Sequence, residues 1–162
     1  MKAYNIYVDG SFMNGDIEAH GGIVMIHADN KTVTKLHVKC MDKNLTSMRN
    51  IGGEILAAYC AIYSVAANLD GDEKCMINLA YDYTGIEMWL THKWATKRQA
   101  TEHYVRKVSQ LLREHKGLKI NFKHIPGHTG EVYNEMADDV AKFRGDESVD
   151  DIALIDVKEI WR

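Results

Sequence analysis

The chain has 162 residues, of which 46% are hydrophobic and 27% charged, a size and composition typical of one globular domain with a substantial core. No apolar run approaches the length of a membrane span, and a formal net charge of −3 excludes a uniformly basic nucleic-acid binder. Residues 146–162 carry six acidic and two basic residues, which leaves 18 basic and 17 acidic residues in the nearly neutral body at 1–145.

The cysteines and the start of the chain favour a cytoplasmic protein. Cys40, Cys60 and Cys75 are odd in number, lack metal-type spacing and lie in apolar segments, so we expect buried free thiols. Met1 is followed at once by a strand-like pattern, and for that reason we expect no signal peptide.

Three strand-like segments open the chain, at residues 4–9, 21–29 and 32–40. The turn residues at 29–31 predict that the second and third segments form an antiparallel hairpin. In the third segment we expect three residues to face the core, namely Val33, Leu36 and Val38. Its polar residues are expected to face solvent, namely Lys35, His37 and Lys39.

The remaining segments alternate between helical and strand-like patterns. After a polar loop at 41–50, we predict helices at 53–69, 84–92, 98–115 and 131–144. We predict the fourth and fifth strands at 74–82 and 118–124. The order βββ-α-β-α-α-β-α predicts an α/β fold with a mixed five-stranded sheet flanked by helices.

The last 17 residues form an acidic tail, so we divide the chain into a domain at 1–145 and a tail at 146–162. The tail contains a short apolar stretch at 152–155 and ends on Trp161 and Arg162. It either packs back onto the domain or binds a partner protein, and we favour the first alternative.

Four carboxylates lie at the ends of predicted elements in apolar surroundings. Asp9 and Asp82 close the first and fourth strands, which a right-handed crossover would make adjacent and parallel. Glu54 lies in the first turn of the predicted crossover helix, where the macrodipole favours an anion. Asp138 shares a helix stripe with buried-type residues, whereas Asp139 points away and is expected at the surface.

A cluster of carboxylate oxygens without Cys or His favours Mg²⁺ or Mn²⁺. Two such ions, roughly 3.5–4 Å apart, activate a water molecule and stabilise the leaving oxygen in phosphodiester cleavage. His128 lies in a glycine-flanked loop from which it could shuttle a proton or help product leave. The spacing of His124 and His128 also suggests zinc, but Pro126 and Gly127 break any helix between them and disfavour that site.

Five segments resemble, in order and spacing, the motifs of the type 1 ribonuclease H family. No single motif is specific, but the ordered set is, and it spans roughly residues 4–144. Residues 49–54 and 81–87 resemble the branch of bacterial and viroplasmin-linked enzymes. We expect no separate amino-terminal hybrid-binding domain, and the segment around Trp94 is shorter than the basic protrusion of some relatives. The five segments are Asp9-Gly10-Ser11, Gly53-Glu54-Ile55-Leu56-Ala57-Ala58, the run at 81–87, His128-Thr129-Gly130 and Asn134-Glu135-Met136-Ala137-Asp138.

The resemblance implies a ribonuclease H-like fold of order βββαβαβα and endonucleolytic cleavage of the RNA strand of RNA–DNA hybrids. The implied two-metal-ion mechanism leaves 5′-phosphate and 3′-hydroxyl ends. By the same resemblance, two Mg²⁺ ions, for which Mn²⁺ could substitute, would be bound by Asp9, Glu54, Asp82 and Asp138. His128 would then be the catalytic histidine of the flexible loop.

Substrate contacts follow from the resemblance and from local composition. The resemblance implies that RNA 2′-hydroxyls are gripped by Gly10, Ser11, Asn14 and Asn50. For both asparagines, ordinary turn chemistry is an equal alternative. Trp94 and Thr96 are candidate contacts within a basic, aromatic-interrupted stretch that could follow DNA phosphates, whereas Trp89 is expected in the core. The polar members of that stretch are His92, Lys93, Lys97, Arg98, His103, Arg106 and Lys107.

Three other functions remain open at this point. The chain could be another nuclease or polynucleotidyl transferase of the same superfold, such as an exonuclease or a transposase-like domain. It could be a non-catalytic hybrid-binding module, although the intact set of acids disfavours that. It could also be a subdomain of a larger polymerase. We favour a free-standing, monomeric enzyme that acts on RNA–DNA hybrids and has no membrane partner.

Overall fold

The computed structural model describes residues 1–127, 130–146, 149 and 151–162. Six strands lie within these ranges: β1 (Lys2–Ser11), β2 (Ala19–His27), β3 (Val33–Cys40), β4 (Cys75–Tyr81), β5 (Leu118–His124) and β6 (Ile152–Asp156). The helices are α1 (Lys43–Thr46), α2 (Arg49–Ala66), α3 (Gly85–Leu90), α4 (Gln99–Glu114), α5 (Val132–Lys142) and α6 (Lys158–Trp161).

The strands form one mixed sheet in the order β5-β4-β1-β2-β3-β6. β1, β2 and β3 pair antiparallel, so the predicted hairpin is confirmed, and Lys31 in its turn has a φ of 59°. β4 is parallel to β1 and to β5, as predicted from the crossover rule. The α/β class and the mixed sheet are therefore confirmed, whereas the count of five strands is wrong because the tail adds β6.

The tail packs back onto the domain, as expected. β6 pairs parallel with β3, and α6 places Trp161 in the core with 3% of its surface exposed. The Trp161 indole N–H donates to Asp42 Oδ2 at 2.8 Å, and its ring lies edge-on against Tyr59. An apolar stretch that looked like an appendage is therefore an edge strand followed by a buried anchor.

Close packing at two glycines places a helix on each face of the sheet. A Cβ atom at Gly21 would overlap the carbonyl oxygen of Gly53 on α2, and one at Gly22 would overlap backbone atoms of Ala137 and Ala141 on α5. Because neighbouring strand residues point to opposite faces, α2 and α5 sandwich β2 at this point. Both helices thus approach the end of β1, where Asp9 pairs with Gly22.

The largest hydrophobic cluster fills the space between the sheet and the layer formed by α2 and α4. A smaller cluster, built on Val24, Ile26, Ala137 and Val140, lies under α5. The three cysteines are buried and free, as predicted. Among the described residues, no helix has the length and apolar character needed to cross a membrane.

Helix α2 begins at Arg49, four residues before the predicted start, and the predicted loop at 41–50 contains α1 and the first two residues of α2. Two adjacent glycines resembled a helix boundary but lie inside the helix, where Gly52 packs against the Leu45 carbonyl and Gly53 against the His20 carbonyl. Glu54 consequently lies in the second turn of α2, and the prediction that placed it in the first turn was wrong.

The predicted faces of β3 were partly wrong. His37 is fully buried rather than solvent-exposed, because α5 covers the face on which it lies, and its ring bonds the Val140 carbonyl oxygen at 2.8 Å. Val33, at the start of the strand, is exposed rather than buried. The alternation of Leu36 and Val38 with Lys35, His37 and Lys39 placed His37 outside only on the assumption that one face of β3 meets water.

Candidate active site

The structure brings the four predicted carboxylates together at one end of the sheet. Asp9 lies near the end of β1, Asp82 directly follows the adjacent β4, Glu54 reaches in from α2 and Asp138 from α5. The carboxylates of Asp9, Asp82 and Asp138 are near enough for their charges to interact, and Glu54 Oε2 accepts from the backbone N–H groups of Asp82 at 3.2 Å and Tyr83 at 3.0 Å. Four separate elements therefore supply one cluster.

Burial and mutual repulsion shift the ionisation of this cluster. Burial, followed by the nearby Asp138 carboxylate, raises the pKa of Asp9 to about 7, although the Gly10 N–H opposes the shift. Burial, followed by the charge of Asp9, raises the pKa of Glu54 to about 8, and this side chain is only 4% exposed. The site therefore holds more negative charge than its surroundings stabilise.

A lysine partly balances the charge. Lys142 Nζ lies 2.8 Å from Asp138 Oδ2, one helical turn further along α5, and this hydrogen bond raises the pKa of Lys142. Asp139, the next residue after Asp138, is exposed, as predicted. Helix α5 thus presents one acid to the cluster and one to solvent.

The donor chemistry of the cluster fits a hard divalent cation, because its ligands are carboxylate oxygens with excess negative charge. Within the described residues, no three side chains of His, Cys, Asp or Glu converge as a preformed metal cage. Asp9, Glu54, Asp82 and Asp138 are the groups that would hold a cation. A cation bound there would compete with Lys142 for the carboxylate of Asp138.

The segment after β5 packs over Asp82. His124 Nε2–H donates to the Asp82 carbonyl oxygen at 2.7 Å, and a Cβ atom at Gly127 would lie 2.8 Å from Asp82 Oδ2. One ring nitrogen of His124 is therefore committed to the backbone of a cluster residue. His128, the predicted catalytic histidine, lies outside the described residues.

A groove of about 470 Å³ lies beside the cluster, between the start of α2 and the segment at 94–98. It is joined to the cluster through Tyr83, which lines the groove while its N–H binds Glu54. Trp94 is 41% exposed and edge-on to the rings of Tyr83 and Trp89, and Trp89 is buried as predicted. The lining also includes basic and amide side chains, namely Arg49, Asn50, Lys97 and Arg98.

The other predicted contact residues are dispersed. Gly10 touches the Asn50 carbonyl oxygen, so the end of β1 adjoins the start of α2. Ser11 is buried and its Oγ accepts from Arg144 at 3.2 Å. Asn14 is exposed in the loop after β1, and Thr96 is half-buried and does not line the groove, unlike its neighbours.

The basic stretch does not act as one surface. His103 bonds the Trp161 carbonyl oxygen, Arg106 contacts the His103 ring, and Lys107 lies over the Tyr59 ring. His103 and Arg106 therefore face the carboxyl-terminal segment and Lys107 faces α2, so only the part of the stretch at 94–98 borders the groove.

Residues 1–144 match the sequence model of the family described as RNase H. The chain belongs to the RNase H family. A ribonuclease H of Pseudoalteromonas translucida (strain TAC 125) is 27% identical to it over 152 residues, which is 87% of this chain and 88% of that protein. The predicted family and the predicted enzyme class, a ribonuclease H, are thereby confirmed.

Solved structures of RNase H1 proteins share the fold. The RNase H1 of the halophilic archaeon Halobacterium salinarum NRC-1 superposes with a TM-score of 0.63 at 23% identity, over 86% of this chain and 95% of that one. LC11-RNase H1 in complex with an RNA/DNA hybrid gives a TM-score of 0.63 at 17% identity, over 91% and 99% of the two chains. The RNase H family match ends at residue 144, before β6 and α6.

A polar group beside the cluster, which the sequence patterns did not predict, is formed by two buried histidines, His20 and His37, with the partly buried Asp16 and Arg144. Arg144 follows the last turn of α5 by two residues, and a basic residue near a helix end is a signal for capping of the free carbonyl groups. For the two histidines, only their alternation within strands offered a signal. Their pairing required the β2–β3 register, which places His37 opposite Gly22.

Proposed function

We propose that the chain cleaves the RNA strand of RNA–DNA hybrids endonucleolytically, with two divalent cations, leaving 5′-phosphate and 3′-hydroxyl ends. The observation that carries this proposal is that Asp9, Glu54, Asp82 and Asp138, from four elements, lie at one end of the sheet in a chain of the RNase H family. Mg²⁺ is the expected ion and Mn²⁺ a substitute, because both prefer oxygen ligands.

Each carboxylate has a defined part in the proposed site. Divalent cations, when bound, stabilise charge on the phosphodiester and lower the pKa of a water nucleophile. Glu54 is oriented by two N–H groups on the same oxygen, which leaves its other oxygen for a ligand. Asp9 and Asp82, on adjacent parallel strands, supply the opposite wall, and Asp138 completes the set from α5.

The groove supplies the proposed contacts to the nucleic acid. Trp94 offers an exposed ring for stacking, and three basic residues near it, Arg49, Lys97 and Arg98, offer charges for DNA phosphates. On the side of the RNA strand we propose Gly10, Ser11, Asn14 and Asn50 as minor-groove contacts, since reading the 2′-hydroxyl distinguishes RNA from DNA. Thr96 is retained as a contact at the edge of the groove, and His128 as a proton carrier.

The oligomeric state, the cellular location and the division into domains are also proposals. We propose a monomer in the cytoplasm that is composed of a catalytic domain at 1–145 and a tail at 146–162. The alternative of a non-catalytic hybrid-binding module is kept because the groove alone would support binding.

The test is a gel assay of one labelled RNA strand, annealed to DNA or to RNA, with Mg²⁺ or EDTA. We expect internal cuts only in the hybrid and only with the metal. Asp82→Asn should reduce cleavage by at least about 100-fold while hybrid binding persists, because the variant loses a ligand charge and keeps the groove. Asp139→Asn, which removes an exposed acid from the helix that carries Asp138, should cleave at the wild-type rate.

Each other result has a defined meaning. Binding without cleavage under any metal condition would favour the hybrid-binding module. Cleavage of a DNA duplex would favour the wider group of nucleases with this fold. Wild-type activity in Asp82→Asn would contradict the proposed metal site.

A further inference from the structure

A single arginine joins the end of α5 to the loop that follows Asp9. Arg144 Nη1 donates to the carbonyl oxygens of Ala141 at 2.6 Å and Phe143 at 3.0 Å, which are free because the helix ends there. Its Nη2 donates to Asp16 Oδ2 at 2.9 Å and to Ser11 Oγ at 3.2 Å, and its Nε points to Asp16 Oδ1 at 3.5 Å. The guanidinium thus caps the end of α5 and binds the end of β1 and the loop that follows it.

The loop that Arg144 holds is a compact unit. Asp16 Oδ2 accepts from the Met13 N–H at 2.7 Å, and the Asp16 N–H donates to the Met13 carbonyl oxygen at 3.0 Å. Asp16 therefore closes the loop on itself and presents its carboxylate to Arg144. Ser11 lies two residues after Asp9 in β1, so the loop begins close to the carboxylate cluster.

A second polar link reaches the same part of α5. The Val140 carbonyl can only accept, so His37 donates to it from Nδ1 at 2.8 Å, and His37 Nε2 is left to accept from His20 Nδ1 at 2.9 Å. His20 Nε2 lies 3.7 Å from Asp16 Oδ1. Because His20 Nε2 carries no proton in this arrangement, the histidine pair ends beside Asp16 without a hydrogen bond to it, and the bond from α5 to the Asp16 carboxylate is made by Arg144.

We propose that Arg144 is a positioning residue that fixes Asp138 relative to Asp9 and thereby sets the affinity of the carboxylate cluster for divalent cations. The inference rests on the proposed function, because it concerns the same metal site. Asp138 lies less than two helical turns before Arg144, and the fork of Arg144 ties that end of α5 to the chain beside Asp9. Metal affinity depends steeply on the placement of its ligands, so loss of this tie weakens binding.

The experiment is a calorimetric titration of metal-free protein with Mn²⁺ in the absence of nucleic acid. We expect Arg144→Gln and Asp16→Asn each to raise the dissociation constant about tenfold. The double variant should bind as weakly as either single variant, because the bond between the two residues, which carries the proposed effect, is already lost in each single variant. Arg144→Lys should give an intermediate value, since an ammonium group keeps the charge but cannot reproduce the fork.

A matched control separates positioning from stability. Val157→Ala removes buried volume at the β6–α6 junction, away from the cluster, and is compared with the two variants by thermal melting without metal. We expect Val157→Ala to lower the melting temperature while its Mn²⁺ affinity stays at the wild-type value. Should Arg144→Gln fail to fold, Asp16→Asn carries the same test through the partner.

The outcomes distinguish this inference from the proposed function. Unchanged Mn²⁺ affinity in Arg144→Gln or Asp16→Asn, with a lowered melting temperature, would contradict the inference and leave the metal site intact. Weakened affinity in Val157→Ala would also contradict it, since general destabilisation would then explain the effect. Absence of Mn²⁺ binding by the wild-type protein would contradict the metal site itself.

Discussion

At the scale of single residues, the cluster depends on the absence of a side chain at Gly22. This residue pairs with Asp9 in the β1–β2 register and touches the backbone of α5 at Ala137 and Ala141. Asp138 directly follows Ala137, so the contact that seats α5 on the sheet also brings its carboxylate to Asp9. The position of the acid is thus set by the glycine that faces it across the sheet.

We therefore expect Gly22→Ala to reduce both stability and cleavage. A methyl group would overlap the backbone of α5, and overpacking against backbone should lower the free energy of unfolding by about 2–3 kcal/mol. The resulting shift of Asp138 should slow hybrid cleavage by about 100-fold under conditions in which the variant remains folded. Urea unfolding and the gel assay measure the two effects.

Gly71→Ala is the control, because Gly71 has a φ of +52° and open space around its Cβ position. It should cost about 1 kcal/mol from backbone strain and leave cleavage unchanged. Equal losses of activity in the two variants would contradict the role given to the contact at Gly22.

At the scale of elements, the carboxyl-terminal segment joins parts of the chain that are distant in sequence. β6 extends the sheet beside β3, and α6 fits Trp161 between Asp42, Tyr59 and His103. Asp42 is also the N-cap of α1, since its Oδ1 accepts from the Asn44 N–H at 2.9 Å. The segment thus contributes to the packing of α1, through Asp42, and of α2, the helix that carries both Tyr59 and Glu54.

Trp161→Ala should lower the free energy of unfolding by about 3–5 kcal/mol, the range for deleting a buried aromatic side chain. Trp161→Phe should cost only about 1–2 kcal/mol, because it keeps most of the ring and loses the bond to Asp42. Trp94→Ala is the matched control at an exposed tryptophan and should cost about 1 kcal/mol or less. Urea unfolding compares the three, and similar losses at Trp161 and Trp94 would contradict the anchoring role.

The elements with clear periodicity could be predicted from sequence. The bounds of β5 were correct because its alternation is framed by Gly117 and by the Ile125-Pro126-Gly127 turn. The start of α2 was not predictable from Gly52 and Gly53, because their tolerance inside the helix depends on carbonyl groups elsewhere in the fold. β6 was missed because a short apolar stretch in an acidic tail becomes a strand only through the free edge of β3.

The candidate site could be predicted to a similar extent. The proximity of Asp9 and Asp82 followed from one crossover rule, and Asp138 from helical spacing. The bond between Arg144 and Asp16 could not be predicted, since 128 positions separate the two residues and neither lies in a recognised motif. The roles of the four carboxylates remain predictions that the assay must test.

At the scale of the whole molecule, a pair of buried histidines links the sheet to α5 and makes stability depend on pH. Burial first, and then the charges of Arg144 and the neighbouring His37, lower the pKa of His20 to about 4, and Lys39 acts in the same direction. The Asp16 carboxylate opposes this shift. Burial also lowers the pKa of His37, with Arg144 and Lys39 in support and the Val140 carbonyl and Glu18 in opposition. Both rings are therefore neutral in the folded protein at pH 7.

The sign of the effect follows from the unfolded chain, in which histidine has a pKa of about 6.5. Above that pH the His20 ring is neutral in both the folded and the unfolded state, so its full contribution to the free energy of unfolding is present. As the pH falls from 6.5 towards 4, His20 becomes protonated in the unfolded state but stays neutral in the folded state. The free energy of unfolding therefore falls by about 2–3 kcal/mol. The carboxylates of Asp9 and Glu54 act in the opposite direction, because their folded pKa values are raised and they gain protons first in the folded state.

Comparison of His20→Gln with the wild type isolates the contribution of His20 to the pH dependence of stability, because the carboxylates are common to both proteins. The glutamine amide can still donate to His37 but does not titrate, so we expect His20→Gln to lose less stability than the wild type between pH 7 and pH 4.5. Urea unfolding without metal at the two pH values measures the difference. His27→Gln, at a half-buried histidine outside the pair, is the matched control for exchanging a histidine for glutamine. An equal fall in wild type and His20→Gln would show that His20 does not couple folding to pH, and would place the acid sensitivity of the protein elsewhere.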